Sequence, residues 1–187
     1  MDKETNDLIK ALCRQDRTAQ RQLLQMYGGM VFRQITRIIP CQEDAEEVYQ
    51  DVFLKVFRNI ASFNEQKASL STWINRIAYH ESLNLVRKNK PPFVYVDDWK
   101  TALENIQDQE LIQTFQQQNE QNIQLLERAL ELLSPEEQAL ISMFYYDNMG
   151  IKEIAYITDS IPSTIGSQLS RTRKKLYHII KEKSKQQ

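Results

Sequence analysis

Two patches of this sequence carry side chains suited to nucleic acid. The first lies in the C-terminal third, where Ser163, Thr164, Ser167, Gln168, Ser170, Arg171, Arg173 and Lys174 crowd one short stretch. Hydroxyls and amides can read base edges, an arginine can grip guanine or phosphate, and lysine neutralises phosphate. The second lies about ninety residues earlier, where Trp73, Arg76, His80, Asn84 and Arg87 step by three, four, four and three. That spacing puts an indole, two guanidiniums, an imidazole and an amide along one side of a helix. Unpaired bases and their backbone would want such planes, donors and positive charge. Arg87-Lys88-Asn89-Lys90 extends the charge.

The elements that must carry the first patch are legible. Ser134 is a good N-cap, Pro135 suits the first helical position and Glu137 completes a capping box. Leu140, Ile141, Phe144 and Tyr145 recur at helical spacing and predict a buried stripe. Asp147-Asn148-Met149-Gly150 breaks that helix. Ile151, Ile154 and Ala155 predict the buried side of a short second helix, and Thr158 to Pro162 predicts a turn from which Pro162 opens the last helix. In that helix Ile165, Leu169, Thr172, Leu176 and Ile179 share one face, opposite the polar patch. Its tail is cationic, with Arg171, Arg173, Lys174, Lys175, Lys181, Lys183 and Lys185 against Glu182 alone. A solvated basic helix would share the tail, but not the capping box, short helix and proline-marked turn before it. The layout is that of a helix-turn-helix reader of duplex DNA.

The second patch rides on a helix capped by Ser69 or Ser71 and running to about Lys88, with Leu70, Ile74, Ile77, Ala78 and Leu85 predicted to face the core. Glu81 falls on that apolar side and is a misfit. Upstream, Glu43 to Ile60 predicts an amphipathic helix. Val48, Val52, Phe53, Val56, Phe57 and Ile60 form its buried stripe, and Glu46, Glu47, Gln50, Asp51, Lys55 and Arg58 its polar side. That polar side could be solvated or could dock a partner protein.

Taken together, these segments resemble the bacterial extracytoplasmic-function group of sigma-70 family RNA polymerase sigma factors, over nearly the whole chain. Tyr27 to Pro40 resembles the start of the family's second region. Asp44 to Phe57 (DAEEVYQDVFLKVF) resembles its DAEDLxQExFLxxW signature, and Leu70 to Ala78 (LSTWINRIA) its FxTWLxRIA signature. Glu153-Ile154-Ala155, Ile161 to Ile165 and Ser170 to Leu176 resemble its fourth region, EIA…GTVKSRLxRARKxL. The resemblance implies an all-α fold of two small helical domains joined by a flexible linker. It implies that Asp44, Glu47, Val48, Gln50, Asp51, Phe53 and Leu54 bind core RNA polymerase, on the clamp helices of the largest subunit. It implies that Phe63, Lys67, Ser69, Trp73, Arg76, His80, Asn84, Arg87 and Lys88 melt and hold the non-template strand of the −10 element. The last helix, from Ser163 to Lys174, then reads the −35 element. The implied partners are core polymerase and promoter DNA, both duplex and single-stranded. An anti-sigma factor is a candidate too, since many members of the family have one. The chain departs from the family pattern at His80, Gly166 and Gln168, where Asn, Lys or Arg, and often Arg are usual, so the promoter sequence does not transfer.

Composition bounds the rest. Hydrophobic residues make up 41% and charged residues 26%, ordinary for a soluble globular chain. No apolar run approaches the roughly 20 residues of a membrane span, and no signal peptide opens the chain. Two cysteines, Cys13 and Cys41, and two histidines, His80 and His178, offer neither a disulfide framework nor a zinc site, so a cytoplasmic protein without metal or cofactor is expected. The net charge of −1 hides segregation. Asp97 to Glu137 is strongly acidic, with only Lys100 and Arg128 as bases, while cations gather at Arg87 to Lys90 and at the C-terminus. A near-neutral total weakens nonspecific DNA binding and suits a protein delivered to DNA by a partner. Pro91-Pro92 ends the first domain (1–92), an acidic, Gln-rich segment follows as linker (93–122), and helical spacing resumes from Ile123 in a second domain (123–187).

Two other classes compete. A dimeric DNA-binding regulator would use the same C-terminal unit but needs no single-strand platform at Trp73 to Arg87. An enzyme would need a nucleophile motif or a His, Cys and acid cluster at ligand spacing, and neither stands out.

Overall fold

The computed structural model describes residues 3–89, 126 and 128–184, and among these the regular structure is helical, with no strand. The expected linker at 93–122 lies outside the described residues.

The N-terminal domain is built on three long helices. Helix α1 (Lys3–Cys13) turns through Gln15, in the left-handed region at φ 59°, into α2 (Arg17–Thr36). The Asp16 side chain accepts the Ala19 amide at 2.9 Å and caps α2, satisfying one of the helix's first unpaired N–H groups. Helix α3 (Gln42–Asn59) begins with Glu43 and Asp44 in its first turn, where carboxylates oppose the positive end of the helix dipole. A 3-10 turn (Ile60–Ser62) leads to α4 (Leu70–Asn89). Of the two expected caps for α4 the structure selects Ser69, whose Oγ accepts the Thr72 amide at 3.1 Å.

The α3 stripe packs as the periodicity predicts: Val48, Val52, Phe53, Val56 and Ile60 are buried, and Phe57 half-buried. Fully burying such side chains stabilises the fold by roughly 1.5–3 kcal/mol each. Helices α2 and α3 approach closely at Gly28, where a Cβ would meet Tyr49 Oη at 2.5 Å. Glu81, the apparent misfit, pairs with Lys55 across α3 and α4, which brings a charged side chain to the edge of an otherwise apolar contact.

In the C-terminal domain α5 (Pro135–Ile141) opens with the expected capping box. Ser134 Oγ accepts the Glu137 amide at 3.1 Å, and Glu137 Oε2 accepts the Ser134 amide at 2.8 Å. The helix then widens into a π turn (Ser142–Tyr146). This corrects one expectation. A wider turn delays the phase of every residue after it, so Met143 fills the core while Phe144 is half-buried and Tyr145 stands 52% exposed. The short helix α6 (Ile151–Ile157) starts at Gly150, whose amide donates to Glu153 Oε2 at 3.0 Å. It buries Ile154, Ala155 and Ile157; Ile151, expected inside, sits at its exposed start. After a turn through Asp159, at φ 55°, α7 (Pro162–Ser184) runs to the end of the described residues. Ile165, Leu169, Thr172, Leu176 and Ile179 are all buried, as the steps of four and three predict. Helix α6 and its following turn pack on α4, so the second domain seats on the first.

Candidate nucleic-acid and polymerase interfaces

Three surfaces can be followed residue by residue. On α7, Ser163, Thr164, Ser167, Gln168 and Arg171 are exposed on the side away from the apolar stripe, and Ser170, Arg173 and Lys174 are half-buried at its edges. Ser167 Oγ donates back to the Ser163 carbonyl at 3.0 Å, and Arg173 Nε to the Leu169 carbonyl at 3.3 Å. The row of hydroxyl, amide and guanidinium groups thus stands free on the second helix of a helix-turn-helix, at the place where such helices enter a major groove.

On α3, Glu47, Gln50, Asp51 and Leu54 are exposed along one face and Asp44 is half-buried. Leu54, at 49% exposure, is a large apolar side chain among carboxylates and amides. Val48 and Phe53 belong to the core, at 5% and 3%, and present nothing to a docking partner. The periodicity already places both in the apolar stripe, and they hold the outer face rigid from below.

On α4 the stripe is realised only in part. Trp73 is buried at 8%, with its ring against Phe63 at 5.8 Å between centroids in an edge-on arrangement. It supports the helix and offers no stacking plane to solvent. Lys67, Ser69, Asn84, Arg87 and Lys88 are exposed, while Phe63, Arg76 and His80 are half-buried.

What half-buries Arg76 and His80 is the C-terminal domain. Arg76 Nη2 lies 2.7 Å from Asp159 Oδ1, and its guanidinium sits over the Tyr156 ring, 5.2 Å from the centroid. Desolvation works against the Arg76 charge, but its hydrogen bonds to Asp159 and Tyr156 outweigh it, and the net direction of its pKa is upward. His80 Nε2 lies 3.1 Å from Asp159 Oδ2, without the alignment of a hydrogen bond. Thr72 Oγ1 donates to Glu153 Oε1 at 3.2 Å, and Arg87 Nη2 to Glu136 Oε1 at 3.3 Å. Away from the stripe, Arg37 Nη1 donates to both carboxylate oxygens of Asp147 at 2.8 Å, and its guanidinium faces the Tyr146 ring at 5.1 Å.

None of these acidic partners was marked by the sequence as part of a site. The nearest signal is their sign: Glu136, Asp147, Glu153 and Asp159 fall in a domain whose other polar face is cationic. Also unmarked are Gln34 and Asn75, buried between α2 and α4, where Gln34 Nε2 donates to the Asn75 carbonyl at 3.2 Å.

The described residues hold no group of His, Cys, Asp and Glu that could bind a metal, and none of their helices is long and apolar enough to cross a membrane. Cys13 and Cys41 are exposed and unpaired by disulfide.

Comparison with known proteins agrees with this geometry. The family model for sigma-70 region 2 matches residues 23–91, and that for sigma-70 region 4 matches residues 123–176. The chain is 24% identical over 174 residues to the ECF RNA polymerase sigma factor SigW of Bacillus subtilis, covering 90% of this chain and 92% of that one. It is 27% identical over 175 residues to the ECF RNA polymerase sigma-E factor of Escherichia coli K12, covering 89% and 88%. Among solved structures, the fold is similar to the sigma factor RpoE of Bartonella quintana in complex with the anti-sigma factor NepR, with a TM-score of 0.60 at 19% identity over 86% of this chain and 96% of that one. It is also similar to CnrH in complex with the cytosolic domain of CnrY, with a TM-score of 0.64 at 15% identity over 94% and 96%. The chain therefore belongs to the sigma-70 family, in its extracytoplasmic-function group. Its function is promoter-specific initiation of transcription with RNA polymerase.

Proposed function

We propose a division of labour among the three surfaces. The outer face of α3, with Asp44, Glu47, Gln50, Asp51 and Leu54, docks on the clamp helices of the largest subunit of core polymerase. An exposed leucine at the end of a polar face gives a docking partner an apolar anchor. The α4 face with Arg76, His80, Asn84, Arg87 and Lys88, with Phe63, Lys67 and Ser69 before it, holds the non-template strand of the −10 element. The α7 face from Ser163 to Lys174 reads the −35 element in the duplex. Domain bounds of 1–92 and 123–187 follow, with residues 93–122 as the link between the two promoter contacts. The chain performs no catalysis and acts in the cytoplasm, where polymerase is. NepR and CnrY on the solved relatives support an anti-sigma factor as a further partner.

The observation that carries this reading is the exposed α3 face with Leu54 at 49%, on the same domain as a cationic α4 stripe. A DNA-binding dimer has no use for both. The test is co-purification with core polymerase, then run-off transcription from genomic fragments with and without the protein. Stable binding and new transcripts are expected, with Leu54→Asp losing both. DNA binding by the isolated protein, without any affinity for core, would favour the dimeric regulator instead.

A further inference from the structure

Two amides are buried in the contact between α2 and α4, Gln34 at 4% exposure and Asn75 at 1%. Gln34 Nε2 donates to the backbone carbonyl of Asn75 at 3.2 Å, and Asn75 Nδ2 lies 3.5 Å from Met30 Sδ. Their side-chain oxygens, Gln34 Oε1 and Asn75 Oδ1, meet no donor among the described residues. A buried oxygen without a donor costs more than one net hydrogen bond returns. Apolar side chains of the same volume would fill the space without that cost. What the amides add is therefore direction rather than stability. Apolar packing is non-directional and holds the height of one helix on another less tightly. A hydrogen bond of 3.2 Å fails once its partners slide by the rise of one helical residue, about 1.5 Å. The other polar side chains buried on α4 bond elsewhere: Ser82 Oγ to the Ala78 carbonyl of its own helix at 2.8 Å, and Thr72 Oγ1 to Glu153.

We propose that Gln34 is a positioning residue for strand binding. By gripping the α4 backbone at Asn75 it sets the height of α4 on α2. That fixes the place of Arg76, one residue on, and of His80, Asn84 and Arg87 along the same side. The proposal rests on the reading of α4 as the strand face. Gln34, being buried, touches no strand itself. Its grip falls in the turn that holds both Trp73 and Arg76. A slide of α4 would carry the Arg76 guanidinium away from the strand as it carries Trp73 away from Phe63, now 5.8 Å between ring centroids. A shift of about 1 Å is enough to spoil a preorganised contact.

Gln34→Met keeps the length of the side chain and removes the donor. The full chain and this variant are compared by urea unfolding and by permanganate footprinting of promoter opening with core polymerase, on a fragment chosen from the run-off transcripts. Trp73 emission is read alongside, in a Trp99→Phe background that leaves one indole. The urea midpoint and core binding should hold and Trp73 emission should shift. Opening should fall about fivefold, the worth of one net hydrogen bond. Gln34→Leu repeats the comparison with a shorter side chain. Unchanged opening by Gln34→Met, or opening that falls only in step with the urea midpoint across both variants, would overturn the positioning role. His80→Ala and Asn84→Ala, run beside them, separate two kinds of failure. If these impair opening while Gln34→Met does not, the positioning role alone falls. If they too open promoters normally, α4 is not the strand face and the proposal falls with that reading.

Discussion

Lys175 Nζ lies 2.7 Å from Glu137 Oε2, the same oxygen that accepts the Ser134 amide at 2.8 Å. One carboxylate oxygen thus caps α5 and anchors α7, so the helix proposed to read DNA is fixed to the first turn of α5. The side chains are 14% and 28% exposed, so the pair is largely shielded from solvent. Glu137→Ala removes the cap and the counter-charge together and should cost about 2 kcal/mol of stability. Glu137→Gln keeps an acceptor for the cap and should cost about half as much. Urea unfolding of the full chain orders the two, and equal values would mean that charge plays no part.

Replacing Trp73 by Ala should behave as a core truncation. With the indole buried against Phe63, the loss expected is about 3–5 kcal/mol. His80→Ala and Asn84→Ala should leave stability and core binding near the wild type and reduce promoter opening, read by permanganate footprinting. Normal opening by both would remove α4 from the strand contact.

The two cations of the α7 face should separate by position. Arg171 is exposed among the hydroxyls and should carry base preference, so Arg171→Ala should weaken the preferred −35 sequence by about 1–3 kcal/mol and narrow its advantage over variant sites. Lys174, half-buried three residues on, should act on phosphate, and Lys174→Ala should weaken all sites alike. Competition binding across a set of −35 variants distinguishes the two patterns.

Gly166 sits inside α7 with open space where a Cβ would be. Gly166→Ala should therefore gain helix propensity with no steric penalty, about 0.5–1 kcal/mol, or a rise in Tm of a few degrees by calorimetry. A fall in Tm would mean that this position meets something the helix alone does not reveal.

Tyr79 gives a pH signature. Burial, reinforced by the Glu136 carboxylate and opposed by Arg87, pushes its phenol from 10.0 up to about 12. Because the folded value lies above the unfolded one, the unfolded chain loses this proton first. The stability it contributes is complete below about pH 10 and disappears as pH rises toward 12. Urea unfolding of wild type and Tyr79→Phe at about pH 8 and pH 11 should show the variant gaining about 1.4 kcal/mol relative to wild type at the higher pH. A constant difference between them would place the hydroxyl in solvent.

Helix α7 was readable in full, because twenty-three residues with one apolar face leave periodicity little room for error. Helix α5 was readable only up to its π turn. A period of 3.6 carried past Ser142 puts Tyr145 inside, and nothing local announces the wider turn. Trp73 shows a second limit. Stripe spacing says which residues share a side of α4, not whether a second domain will lie on that side. The same limit hid Asp159, whose left-handed turn aims it at two residues far away in the chain. Arg37 and Asp147, one hundred and ten positions apart, become neighbours only through that docking. Helices α1 and the start of α2 passed unread, although Leu8 and Leu12 one turn apart and Asp16 three before Ala19 were visible signals.

The seam of carboxylates against α4 has a consequence for ionic strength. Salt screens the exposed pairs among them, Arg76 with Asp159 and Arg87 with Glu136, more than the better shielded Arg37 with Asp147. The contact along α4 should therefore loosen before the one at Arg37 as ionic strength rises. Small-angle scattering across a salt series should show the molecule expanding, and in the Arg37→Glu protein, which lacks the best shielded of these pairs, the expansion should come at lower salt.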